Sequence, residues 1–189
     1  MNDDIEHYIE ELRHTAITAG FNYDIWWVYK GSDTRPKYTA TMNRYNLFFQ
    51  TSLHAHFIAL LVELYRLYET RSDTFNIPSL LKLLKTKKAM QPVELKLLNE
   101  RYAAVKPLWL KVNILRNKAF GHRSSAHTVE QVFNEAGITP NELRQLVEST
   151  KELLNAITQA IANTTEAFNL EAREDTLRLL DCLKIHHEG

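Results

Sequence analysis

Arg116 and His122 stand six residues apart in a segment that reads RNKAFGH, with Asn117 beside the first and Gly121 beside the second. An imidazole ordinarily titrates near 6.5 and can take up or release a proton at neutral pH. A guanidinium presents five N–H donors in a rigid fork that fits a phosphate. A carboxamide can orient either group. These are the parts of acid–base chemistry at a phosphate. Spacing alone does not bring them together, because six residues on an ideal α-helix turn through roughly 600° and leave the pair about 120° apart. Gly121 can leave the helical region and swing His122 back toward Arg116. The same residues also suit a plain helix C-terminus, where Arg, Lys and His meet the negative end of the dipole. Residue types leave both readings open.

Other chemistry is weaker. Of the eight histidines, His54 and His56 are two apart on a helix and point in different directions, and His186 and His187 sit in a tail. HExxH, cysteine clusters, Walker loops and GxGxxG are all absent, so no metal or cofactor is expected. Cys182 reads as a small core residue. Lysines 82, 85, 87 and 88 form a basic cluster, either the solvated face of a short helix or a patch that tracks phosphates.

The whole chain limits what these residues can serve. Its 189 residues suit a single domain, 1–189. With 23 basic and 23 acidic side chains there is no global field toward nucleic acid or membrane, so any nucleic-acid site must be a local patch. One cysteine excludes an intrachain disulfide and fits a reducing cytoplasm. The acidic start, MNDDIEHYIEEL, is unlike a signal peptide, and His54, His56, Glu63 and Arg66 interrupt the longest apolar run, so no membrane partner is expected.

Helices must position the motif. Met42, Tyr45, Phe49, Leu53, Phe57, Leu60, Leu64 and Leu67 step by three and four, predicting one long helix over 41–70. An earlier helix is expected from Asp3 to about Ala19. The aromatic run that follows has no clear assignment, and Gly31 to Pro36 reads as a loop. Pro78 and Pro92 each open a helix where a missing N–H costs least. Pro107 either kinks the second or restarts it before the motif. Thr128 with Gln131, and Thr139 with Pro140 and Glu142, are capping boxes, with Gly137 a stop between them. A last helix is expected over about 167–185. The fold class is all-α, a single bundle.

On these residues the chain resembles the HEPN superfamily (higher eukaryotes and prokaryotes nucleotide-binding). Its motif is an arginine, a polar residue and, within four to six positions, a histidine at the end of a helix. The run YNLFFQTSLHAHFIALLVELYRLYETRSDTFNIPSLLKLL, the motif, and TVEQVFNEAGITPNELRQLVE are together similar to the abortive-infection (Abi) branch of U type, over about residues 40–160. The resemblance implies a helical bundle that dimerises and sets two motif copies across a shared cleft. It implies a metal-independent endoribonuclease acting as a toxin or phage-defence effector, with RNA and an antitoxin protein as partners. His122 would move protons, Arg116 would hold the scissile phosphate, and Asn117 would orient one of them. Lys118 and Arg123, with Lys87 and Lys88, would supply RNA contacts. The alternative within the resemblance is a non-catalytic module that binds RNA or protein. Where some relatives carry a tyrosine two residues after the histidine, modified by a nucleotidyltransferase antitoxin, this chain has Ser124, so that control is not expected.

Overall fold

The computed structural model describes residues 3–121, 129–165, 168 and 172–185. Within them run eight α-helices: α1 (Asp3–Lys30), α2 (Arg35–Arg44), α3 (Asn46–Tyr68), α4 (Ile77–Lys87), α5 (Pro92–Leu115), α6 (Val129–Ala136), α7 (Pro140–Ala162) and α8 (Ala172–Ile185). The chain is an all-α bundle, with no strand among the described residues.

The first helix is longer than its sequence suggests. Ile5, Ile9, Leu12, Ala16, Ala19, Tyr23 and Trp26 are all buried, at alternating steps of four and three. This seam carries α1 through Gly20 and the aromatic run to Lys30, against α3 for much of its length and then against α7 and α8. α1 stops at Gly31, where a Cβ would sit 2.7 Å from the Trp27 carbonyl oxygen, so only glycine fits. The expected loop shrinks to a short turn, because Arg35 and Pro36 already belong to α2. The Thr34 hydroxyl donates to the Val28 carbonyl at 2.7 Å and ties that turn down.

The expected continuous helix over 41–70 is divided. Tyr45 leaves helical geometry at φ −111°, ψ 42° between α2 and α3. The break lets Phe49 enter a second small core with Val28, Tyr29, Tyr38 and Leu180. By length and composition α3 could cross a membrane, with a mean hydropathy of 1.4 in its most apolar window. Its Phe57, Leu60, Leu61, Leu64, Leu67 and Tyr68, however, are buried in the bundle. Tyr68 reaches across to α7, its hydroxyl 2.6 Å from that of Thr150, which donates in turn to the Leu146 carbonyl.

The proline-opened helices form as expected. Asn76 caps α4 by accepting from the Ser79 N–H at 2.8 Å, and its amide donates to the Arg71 carbonyl at 2.7 Å. Asn76 is fully buried, so Asn76→Ala removes a cap and leaves buried donors and acceptors unpaired. The expected loss is about 2 kcal/mol in chemical denaturation, while Thr86→Ala on the exposed face of α4 leaves the midpoint in place. Pro107 does not restart α5, which runs through it as one helix. Pro107 and Ala103, whose carbonyl loses its partner, are both exposed, so water can satisfy that oxygen.

The Thr139–Glu142 box also forms: Glu142 accepts from the Thr139 N–H at 2.8 Å, and Thr139 accepts from the Glu142 N–H at 3.2 Å. Gly137, at φ 56°, ends α6 in the left-handed region. Thr128 lies outside the described residues, as do His186 and His187. So do residues 167 and 169–171, and the last helix is described from Ala172. Cys182 is exposed on α8 and is not a core residue.

Candidate functional site

α5 delivers the motif. Val112 and Leu115 are fully buried, and Leu108, Trp109 and Ile114 pack against the core. The chain therefore reaches Arg116 on an immobilised turn. From Arg116 to Gly121 it winds as a π-helical turn, wider than the α-helix before it. The departure from α geometry begins at Arg116, five residues before the glycine expected to cause it. Single π turns inside helices often mark functional sites.

Arg116 is half-buried and held from two sides. Its guanidinium carbon lies 4.5 Å from the centroid of the Tyr65 ring, close enough for a cation–π contact. Tyr65 is itself stacked on Trp109, 6.2 Å between centroids, and the indole N–H donates to the Tyr65 carbonyl at 3.3 Å. The second hold is Asn117, whose side-chain oxygen accepts from Arg116 Nη1 at 2.8 Å. The Asn117 amide then donates to Asn113 Oδ1 at 2.6 Å. Among the described residues no carboxylate pairs with Arg116. One of its five donors is spent, and the rest of the fork retains its full charge for an anion.

Around this centre the neighbouring elements are locked together by Lys111. Its ammonium donates to the Gly137 carbonyl at 3.0 Å and to Glu142 at 2.5 Å, joining α5 to the end of α6 and the start of α7. The Lys111 contact, with the Thr139 N–H, holds the Glu142 carboxyl below its usual range, so the cap stays ionised. Phe133 of α6 stacks on Phe57 of α3, 5.9 Å between centroids.

The structure brings Arg116, Asn117 and Lys118 into one turn. Lys118 is paired with Glu135 at 2.5 Å, so an RNA phosphate would have to compete with that carboxylate. His122 and Arg123 lie outside the described residues. Lys87 and Lys88 are not part of this cluster. Lys87 pairs with Asp4 at 3.7 Å, and Lys88 faces the first half of α5, beside Pro92 and Leu95. Even from Tyr102, at the far edge of that region, Arg116 is fourteen residues further, about 21 Å along the helix. Sequence reasoning missed Tyr65, Asn113 and Glu135. Asn113 precedes Asn117 by one helical turn and was available as a signal; Tyr65 and Glu135 come from other helices and left none.

Residues 2–178 match the family model of the HEPN group described as AbiU2. The match reaches well beyond the 40–160 span of the resemblance and takes in α1 and part of α8. No curated protein and no solved structure matches the chain.

Proposed function

Since the chain belongs to the AbiU2 family of HEPN proteins, a group related to abortive infection, we propose that it is a metal-independent endoribonuclease whose centre is Arg116, Asn117 and His122. The observation that carries this reading is the state of Arg116, a cation unpaired with any described carboxylate, fixed over Tyr65 on a π turn at the end of a buried helix. A purely structural arginine in this position would be expected to hold a carboxylate.

The chemistry follows from the groups. His122 takes the proton from the ribose 2′-OH, and the 2′-oxygen attacks phosphorus. The new P–O2′ bond forms as the P–O5′ bond breaks, and the departing 5′-oxygen leaves protonated. The ends are a 2′,3′-cyclic phosphate and a 5′-hydroxyl. One imidazole can carry both proton transfers in turn, or two can divide them across a dimer. Arg116 neutralises the phosphoryl oxygens as charge grows on them, and Asn117 keeps the guanidinium aimed. Lys118, released from Glu135, and Arg123 would steady the flanking phosphates. Purified protein incubated with RNA in EDTA tests this directly. Cleavage with cyclic phosphate ends is expected; a strict need for added divalent metal, or 5′-phosphate ends, rules the mechanism out. Binding without cutting would leave the non-catalytic module as the reading.

Two copies would meet along α5. Ala103, Pro107, Leu110 and Ile114 follow one another at steps of four, three and four on one face of that helix, and Asn117 comes three residues later in the turn that extends it. The first three are exposed, Leu110 at 45%. An isologous pairing on this stripe about a two-fold axis running alongside α5 would set the two Asn117 side chains, and with them both motifs, near that axis. Leu110→Asp is therefore expected to give a monomer by light scattering at micromolar concentration and to lose cleavage. A wild-type monomer that cleaves RNA fully would overturn the dimeric arrangement.

A further inference from the structure

A second surface stands apart from the motif. Between α4 and the first half of α5 lies an open groove of about 950 Å³. Its floor is aliphatic: Leu81 and Leu84 at the base, Met90 and Leu95 half-exposed above them. Its rim carries Lys82, Lys85, Lys88 and Lys96, all exposed, and none of the described residues that line it is acidic. Among the described residues, Lys96 alone of the four has a carboxylate within ion-pairing distance, Glu100 at 3.9 Å along its own helix. In a chain whose charges balance overall, four cations around one apolar groove are a local excess.

Lys88 adds an independent sign. It caps α4 in the left-handed conformation, φ 51°, where glycine or asparagine is ordinarily favoured and a lysine is strained. Folding gains nothing from a lysine backbone at that point. Its side chain, by contrast, completes the basic rim, and strain kept at one position points to a use for the residue there.

We propose that this groove docks an acidic amphipathic helix supplied by a partner protein, apolar side chains on the Leu–Met floor and carboxylates against the lysine rim. The mode is helix-in-groove recognition, in which anchors at helical spacing fill an apolar cleft and a thioether adapts to their shape. Single-stranded RNA fits less well. RNA grooves combine cations with aromatic platforms for bases, and here the floor is aliphatic, with Tyr102 the one aromatic among the described residues that line it. The proposal does not rest on the ribonuclease reading, and its failure would leave that reading untouched.

The full-length chain is titrated by fluorescence anisotropy with a labelled peptide carrying leucines at helical spacing flanked by glutamates. The comparison probes are the same peptide scrambled and oligouridine. The leucine–glutamate peptide is expected to bind and the scrambled one to bind far more weakly. Lys82→Glu with Lys85→Glu should weaken the peptide by at least ~10-fold, since like charges then face each other across the interface. Lys88→Gly should weaken it as well while leaving the melting temperature unchanged or raised. Equal binding of the scrambled peptide, or no binding of either, overturns the proposal. So does oligouridine binding lost in the double variant with peptide binding unchanged, which would assign the lysines to RNA. A lower melting temperature for Lys88→Gly would make Lys88 a structural residue and remove its part in the argument.

Discussion

His122→Ala is expected to lower the rate of RNA cleavage by at least ~10²-fold, the usual contribution of a positioned general acid or base. Within residues 116–122 only His122 exchanges protons near neutrality: a guanidinium and an ammonium stay charged, and a carboxamide does not titrate. Without the imidazole the 2′-OH must lose its proton to water, and the 5′-oxygen must leave as an alkoxide or take its proton from water. The loss should fall on kcat, because binding of the phosphate is left to Arg116. RNA affinity, read separately on a non-cleavable 2′-deoxy substrate, should change little. Single-turnover rates with the melting temperature unchanged are the measurement. A variant that cleaves at the wild-type rate would remove His122 from the mechanism, and with it the division of roles between Arg116 and His122.

Arg116→Ala is expected to cost about 10²–10³ in rate, the range seen when one preorganised donor to a developing oxyanion is removed. Arg116→Lys should recover only part of this, because an ammonium keeps the charge but loses the fork and the flat face that lies on Tyr65. Tyr65 acts through Arg116 as a positioning residue. Tyr65→Leu removes the ring beneath the guanidinium and should slow cleavage by about 2–30-fold, matching a cation–π contact of about 0.5–2 kcal/mol. Tyr65→Phe keeps the ring and should keep the rate. The decisive readout is the double variant. If Tyr65 works only by holding Arg116, Tyr65→Leu adds nothing once Arg116 is alanine. Additive losses would show that Tyr65 acts independently of Arg116.

Much of the architecture was open to reading because its causes are local. The Thr139–Glu142 box, the prolines at 78 and 92 and the glycine at 137 each act within a few residues, and each forms as its spacing implies. The seam of α1 was equally present, from Ile5 to Trp26 in steps of four and three. It was obscured by Gly20 and by aromatics whose burial does not follow from residue type. The break at Tyr45 was not legible. The apolar spacing runs straight across it, and the chain bends there to place Phe49 against residues of α1, α2 and α8. Cys182 was misread for the same reason: which face of α8 is covered is decided by helices distant in sequence.

The candidate site divides along the same line. From its sequence alone this protein is an all-α chain with an arginine, an amide and a histidine at the end of an apolar helix, because helical period, caps and motif spacing are short-range properties. Only the tertiary structure decided that Tyr65 lies beneath Arg116, that Lys118 faces Glu135, that Lys87 pairs with Asp4 of α1, and that Lys88 sits with the first half of α5, away from the motif. Those relations depend on how α3, α4 and α6 pack against α5. That packing is fixed by burial of the whole core at once, and no window of sequence contains it.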